Sequence, residues 1–324
     1  MSSVLLFLLL PMIDGTVVNK TTGQPVANQT VNLVRASEKG MEPAGSGKTD
    51  AQGKFSIEAK PGADPAQNIS MLQVNYQGVG YNKLVPPMAA GSPVEIEVFD
   101  TAATPGLVET AQHMLLIEPV PGEIRVRETF MIENKTRLTY QDPRGGFRFY
   151  LPALAQGKVD VKASTGAQGV PVNRAAKPVA GQPNIYSVDF PMKPGETRFD
   201  LTWTAPFGTP GEFSTEVLHK EGPARLIVPR GVTVKGDGLK ELGTEPSTQA
   251  AIFQMPNAKV SFSIEGAGTL SSPASNSEGE GQNDGPPIDV IPPKIYDRVY
   301  WVLGLSFGML AIAFVYLYRA SSSK

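Results

Sequence analysis

The chain contains no cysteine and only two histidines, His113 and His219. The first absence excludes disulfides, thiol nucleophiles, c-type haem attachment and cysteine-ligated zinc or iron–sulfur centres. The second leaves little material for imidazole catalysis. Charge of one sign is also lacking: 29 Lys and Arg stand against 31 Asp and Glu. A net charge of −2 gives no electrostatic footprint for a nucleic-acid partner. No G-x-S-x-G, P-loop or H-E-x-x-H pattern occurs. Glycine (33) and proline (29) are plentiful by contrast, nearly one residue in five against roughly 12% in average chains. That excess predicts short strands joined by turns, an all-β protein.

One long apolar run is present. Residues 299–318, VYWVLGLSFGMLAIAFVYLY, carry no charge. A helix of that length covers about 30 Å, the thickness of a bilayer core. Aromatic residues lie at both ends, where the interfaces belong. This predicts one C-terminal transmembrane helix, with the lipid bilayer as partner and a short tail at 319–324. Gly304 and Gly308 make a small-x-x-x-small step, the candidate helix–helix contact. Residues 1–12 hold a shorter apolar stretch, 4–10, of export-signal type. No Lys or Arg precedes it and no small-x-small cleavage site follows. Lys294 and Arg298 before the span balance Arg319 and Lys324 after it, so charge does not orient the helix. The export-like run places the bulk of the chain outside the cytoplasm, on the periplasmic side of the inner membrane in a bacterium, with the C-terminus inside. The other orientation is a tail-anchored cytosolic interaction protein. Residues 266–293 have four acids and no Lys, Arg or aromatic residue, a composition expected of a disordered stalk.

Two folded regions are expected between these ends. In residues 13–102, Val31 and Leu33, Phe55 and Ile57, and Val94, Ile96 and Val98 alternate with polar neighbours, and turn-forming Gly and Pro separate the runs. In residues 107–265 the same period recurs at Ile124-Val126, Phe147-Phe149-Leu151, Phe199-Leu201-Trp203 and Phe262-Ile264. Tandem β-sandwiches are the expected architecture, the second being one domain or two.

The segments Gly15-Thr16-Val17-Val18, Thr22-Gly23-Gln24-Pro25-Val26, Val31-Asn32-Leu33 and Thr49-Asp50-Ala51-Gln52-Gly53-Lys54-Phe55 resemble the carboxypeptidase regulatory-like domain. Two-part chains with that domain in front resemble bacterial single-pass membrane proteins. The resemblance implies a prealbumin-like Greek-key sandwich in which Gly23 and Pro25 make a hairpin turn, and Asp50 and Gly53 the turn feeding the Phe55 strand. It implies a binding or spacer module, and no peptidase activity, because the zinc-binding His and Glu pattern of the peptidase domain is absent.

The functional expectation is therefore a non-enzymatic, membrane-anchored binding, scaffold or accessory subunit with membrane or extracytoplasmic protein partners, no cofactor and no metal. The alternative is a carbohydrate-binding module, with Trp203 and Phe207 as aromatic contacts, although the alternation also suits Trp203 to the core. Neither histidine has a carboxylate, serine or second histidine nearby in the sequence, so both read as ordinary surface or core residues. Glu128 is the one anomaly. It shares the strand face of Ile124, Val126, Phe130 and Ile132. A carboxylate there demands pairing or protonation: the functional reading is a buried ion pair at a partner surface, and the plainer expectation an edge or bulge that turns it outward.

Overall fold

The computed structural model describes residues 12–37, 40–59, 70–85, 92–104, 106–166 and 169–270. All of them fall within one compact unit. The expected export run, residues 271–293 of the expected stalk and the 299–318 span with Gly304 and Gly308 lie outside the described residues. The first residues of the expected 266–293 stalk are instead tied to the second β region, where Gly268 N donates to the Pro119 carbonyl at 2.9 Å and Leu270 N to Glu118 Oε1 at 2.6 Å. Among the described residues no helix is long and apolar enough to cross a membrane.

These residues are almost wholly strand and turn, as the alternation and the Gly and Pro content require. The first module uses β1 (Met12–Asn19), β2 (Gln24–Pro25), β3 (Thr30–Ser37), β4 (Gly40–Lys48), β5 (Lys54–Glu58), β6 (Ser70–Tyr76), β7 (Val79–Val85) and β8 (Val94–Val98). β1 pairs parallel with β8 and antiparallel with β5 and β2. The second sheet runs β4-β3-β6-β7. The inward residues Val17, Leu33, Ile57, Leu72 and Ile96 are almost fully buried in one cluster between the two sheets.

The second module uses β10 (Glu109–Val120), β11 (Glu123–Asn134), β13 (Phe147–Tyr150), β14 (Asp160–Thr165), β15 (Val172–Arg174), β16 (Ala176–Pro178), β17 (Ile185–Val188), β18 (Gly195–Pro206), β19 (Gly211–Glu216), β20 (Ala224–Val228), β21 (Val232–Lys235), β22 (Lys240–Thr244), β23 (Ala251–Met255) and β24 (Lys259–Gly266). One long sheet runs β15-β14-β18-β11-β10-β20-β23-β22, with β13-β17-β16 and β19-β24-β21 as two short sheets. Phe147 of the first short sheet stacks on Phe199 of the long one at 4.1 Å between ring centroids, and Phe213 of the second on Trp203 at 6.2 Å. Both short sheets therefore pack on the same face, and buried residues from Leu115 to Ile264 form one continuous core. The region is one sandwich-like body.

A hydrogen-bonded seam joins the modules. β9 (Thr101–Ala102) pairs with β12 (Thr139–Tyr140). Asp100 Oδ1 accepts from Asn19 Nδ2 (2.8 Å), Tyr76 Oη (3.0 Å) and Gln77 Nε2 (3.0 Å). Thr21 Oγ1 donates to the Arg137 carbonyl at 2.5 Å. Tyr81 Oη donates to the Phe99 carbonyl at 3.0 Å, which leaves the Thr139 hydroxyl to donate to it at 2.9 Å. Lys193 reaches across from the second module. Its Nζ donates to the Gly80 carbonyl at 2.7 Å and lies 4.6 Å from the Tyr81 ring centroid.

Burial in this seam lowers the Lys193 pKa to about 8. In the unfolded chain the ammonium loses its proton near 10.5. Between these values the unfolded state binds more protons, so stability from this group rises with pH. Chemical denaturation at intervals from pH 7.5 to 9, below the range in which the raised Tyr76, Tyr81 and Tyr140 hydroxyls oppose it, should show that rise in the wild type relative to Lys193→Met. An identical slope in the variant would place the titration elsewhere.

Candidate functional site

β10 and β11 are antiparallel, and their register sets Leu115 opposite Glu128 and His113 opposite Phe130. Alternation puts His113 on the same inward face as Leu115 and Ile117, while Glu128 lies inward with Val126 and Phe130. β11 lies between β10 and β18, so it has no free edge, and Glu128 is only 4% exposed. The outward-turned Glu128 expected from an edge or bulge is thus corrected: the one irregularity of the β10–β11 ladder lies at Thr110–Gln112, beyond Glu128, and regular pairing on both sides of Glu128 keeps the carboxylate inside. Its partner is His113, 2% exposed, whose Nε2 lies 2.6 Å from Glu128 Oε1. The His113 ring also stacks on Phe130 at 4.0 Å.

The second histidine arrives from 106 residues further along. Residues 217–223 join β19 to β20, which lies parallel to β10 with Ala224 opposite His113. The connection is pinned where His113 N donates to the Pro223 carbonyl at 3.1 Å and where Asn257 Nδ2 donates to the Lys220 carbonyl at 2.8 Å. Gly222 makes this approach possible. Its φ is +81°, and a Cβ there would fall 1.9 Å from the Thr110 carbonyl oxygen. His219 consequently sets its Nε2 3.1 Å from His113 Nδ1, while its Nδ1 lies 2.6 Å from the Glu221 carbonyl oxygen.

Donor and acceptor roles follow from the far ends of this chain. A carbonyl oxygen only accepts, so His219 Nδ1 carries a hydrogen and its neutral ring presents a lone pair at Nε2. His113 Nε2 and Glu128 Oε1 share one hydrogen across 2.6 Å. A second hydrogen lies between His113 Nδ1 and the His219 Nε2 lone pair, 3.1 Å apart. Burial lowers the His219 pKa, the bond to the Glu221 carbonyl opposes that, and the neighbouring His113 lowers it further. Every ring nitrogen is engaged within the network, so none is presented outward as a general base.

His219 forms part of the wall of a cleft of about 710 Å³. Apolar walls come from Ile132, Phe147, Ile185 and Leu218, with Glu109, Arg148 and Glu216 supplying charge. Beneath it a hollow of about 20 Å³ touches both histidines and Glu216, room for about one water. β13 flanks the cleft and pairs only with β17 among the described strands, which leaves its other edge unladdered.

The remaining sequence-derived candidates lie elsewhere. Trp203 and Phe207 are 4% and 9% exposed, in the core of the second module. The proposed sugar contact at these residues is corrected, because the Phe199-Leu201-Trp203 face packs inward and neither ring offers a free surface. Gly23 (φ +76°) sits in the turn before β2, and Pro25 pairs with Val18. Asp50 Oδ1 accepts from Gln52 N and Lys54 N at 2.9 and 2.8 Å, and Gly53 (φ +72°) completes that turn into β5. Sequence reasoning missed the histidine–glutamate network. The parity of Glu128 and of His113 was the available signal; His219 had none beyond being the other histidine.

No family model matches the chain, and no curated protein does. Among solved structures, a 9R-lipoxygenase from Cyanothece PCC8801 is similar at 17% identity and a TM-score of 0.19. That likeness covers 28% of this chain, which spans 16% of the lipoxygenase chain, and is too slight to bear on fold or activity.

Proposed function

We propose that this chain is a non-enzymatic binding or scaffold subunit. Residues 299–318 anchor it, and both β modules stand outside the cytoplasm. The first module is a prealbumin-like Greek key of the carboxypeptidase regulatory-like kind, serving as a rigid arm rather than a catalyst. The observation that carries this reading is the cleft of about 710 Å³ beside an unladdered strand edge. A strand edge supplies main-chain donors and acceptors to an extended segment, and alternate apolar pockets supply selectivity. The hydrogen-bonded seam supports the same reading, since a stiff two-module body holds the cleft in a constant orientation. The engagement of all four imidazole nitrogens weighs against acid–base catalysis at this wall.

The test is photo-crosslinking in native membranes. A photoreactive residue in place of Arg148, exposed on β13, should yield a discrete protein adduct. The same residue in place of Thr202, exposed in mid-sheet on β18, should not. Absence of an adduct from Arg148, with a monodisperse monomer after mild detergent extraction, would overturn the scaffold reading. Protease shielding on intact cells checks the orientation: cleavage that releases the β modules but spares a C-terminal tag is expected. Protection of the modules would make the chain a tail-anchored cytosolic protein.

A further inference from the structure

The two histidines are the only ones in the chain, and the fold brings their rings together with each far nitrogen already committed to an acceptor. That arrangement is the one a metal centre uses. A ligating imidazole donates its other N–H to a carboxylate or a backbone carbonyl, which fixes the tautomer and the ring orientation. Here Glu128 plays the first part for His113, and the Glu221 carbonyl the second for His219. The nitrogens left over, His113 Nδ1 and His219 Nε2, converge at 3.1 Å with ring centroids 5.2 Å apart. Two metal–nitrogen bonds of about 2.0–2.1 Å at a tetrahedral angle separate their nitrogens by roughly 3.3–3.4 Å. The ion would then sit roughly 1.2 Å off the line joining the two nitrogens, so the rings must part by a few tenths of an ångström and also turn their lone pairs toward it; His219, only half-buried, has that freedom.

We propose that His113 Nδ1 and His219 Nε2 form a binding site for a borderline divalent transition-metal cation, of the Zn²⁺ or Cu²⁺ class, held in place of their shared proton. Imidazole suits these ions, and Cu²⁺ should bind more tightly than Zn²⁺. The buried Glu128 carboxylate offsets part of the charge without ligating. Among the described residues no group of three or more His, Asp or Glu side chains is placed to hold a metal, so the protein supplies two ligands. Water supplies the rest from the hollow of about 20 Å³ and the cleft, which also serve as the entry path. The ion would clamp the 217–223 connection onto β10 and stiffen the cleft wall. This inference does not depend on the scaffold reading, since it concerns the histidine pair whatever the cleft binds.

The experiment uses the full chain in detergent, purified with a tag that contains no histidine. Isothermal titration with Zn²⁺ should give one ion per chain, and Cu²⁺ electron paramagnetic resonance should show coupling to two nitrogens. His219→Ala, at a half-buried position, should fold and bind at least tenfold more weakly, with the second nitrogen coupling lost. Glu128→Gln removes only the supporting carboxylate and should weaken the site roughly 10–100-fold while both nitrogen couplings persist. No stoichiometric binding of either ion at about 1 mM, the Kd of a very weak site, would overturn the proposal. Undiminished binding by His219→Ala would do the same, because the ion would then sit elsewhere.

Discussion

Glu128→Ala is expected to reduce the unfolding free energy by about 3–5 kcal/mol in chemical denaturation at pH 7, the usual cost of removing one partner from a buried pair. The carboxylate is 4% exposed and meets His113 at 2.6 Å, and His113 itself is 2% exposed. Removing Glu128 strands His113 Nε2 in an apolar pocket made by Phe130 and its neighbours, and leaves a cavity beside it. The companion experiment replaces both members, Glu128→Leu with His113→Phe. Aromatic stacking on Phe130 can continue, and no buried polar group is left orphaned at this pair. His219, half-buried at the cleft wall, can turn its freed Nε2 to water. The double variant should recover most of the loss, because well-packed apolar residues commonly equal a buried ion pair. A single variant within about 1 kcal/mol of the wild type would mean that Glu128 is solvated.

The second large effect concerns Gly53. Gly53→Ala should cost about 3 kcal/mol, against about 1–2 kcal/mol for Gly23→Ala. Both glycines have positive φ, +72° and +76°, and share the penalty that an L side chain meets in that region. They differ in surroundings. A Cβ on Gly53 would lie 2.7 Å from the Val17 carbonyl oxygen and 2.9 Å from Pro25 Cβ, whereas nothing lies within 4 Å of one on Gly23. The Asp50 turn is thus wedged against β1 and β2, and Thr49 Oγ1 binds the two segments together by donating to the Val26 carbonyl at 2.7 Å. Denaturant midpoints for both variants check this directly. Equal losses would show that backbone strain alone operates and that β1 and β2 can withdraw from the turn.

Strand identity was legible in the sequence because alternation is a local property. Phe199, Leu201 and Trp203 differ from Asp200, Thr202 and Thr204 in their cost of burial, and a pleated strand separates the two sets whatever it pairs with. The turns at Gly23 and at Asp50–Gly53 were legible for a similar reason, since a left-handed backbone selects glycine over three or four residues. That is why the all-β class and the burial of Trp203 could be read from residue order, and why Trp203 as a sugar platform had to yield to it.

The site depends on separations no local pattern encodes. Glu128 was visible as a charge on an apolar face, but whether it turned outward rested on β11 having β10 on one side and β18 on the other. His113 and His219 are 106 residues apart. They meet because β20 adds parallel to β10 on the edge opposite β11, and because Gly222 lets the intervening connection pass against the Thr110 carbonyl. The sequence by itself determined which residues seek the interior. Only the tertiary structure decided that two histidines and a glutamate would find one another there: once water is excluded, each buried polar group needs a partner, and strand order alone brought these within reach.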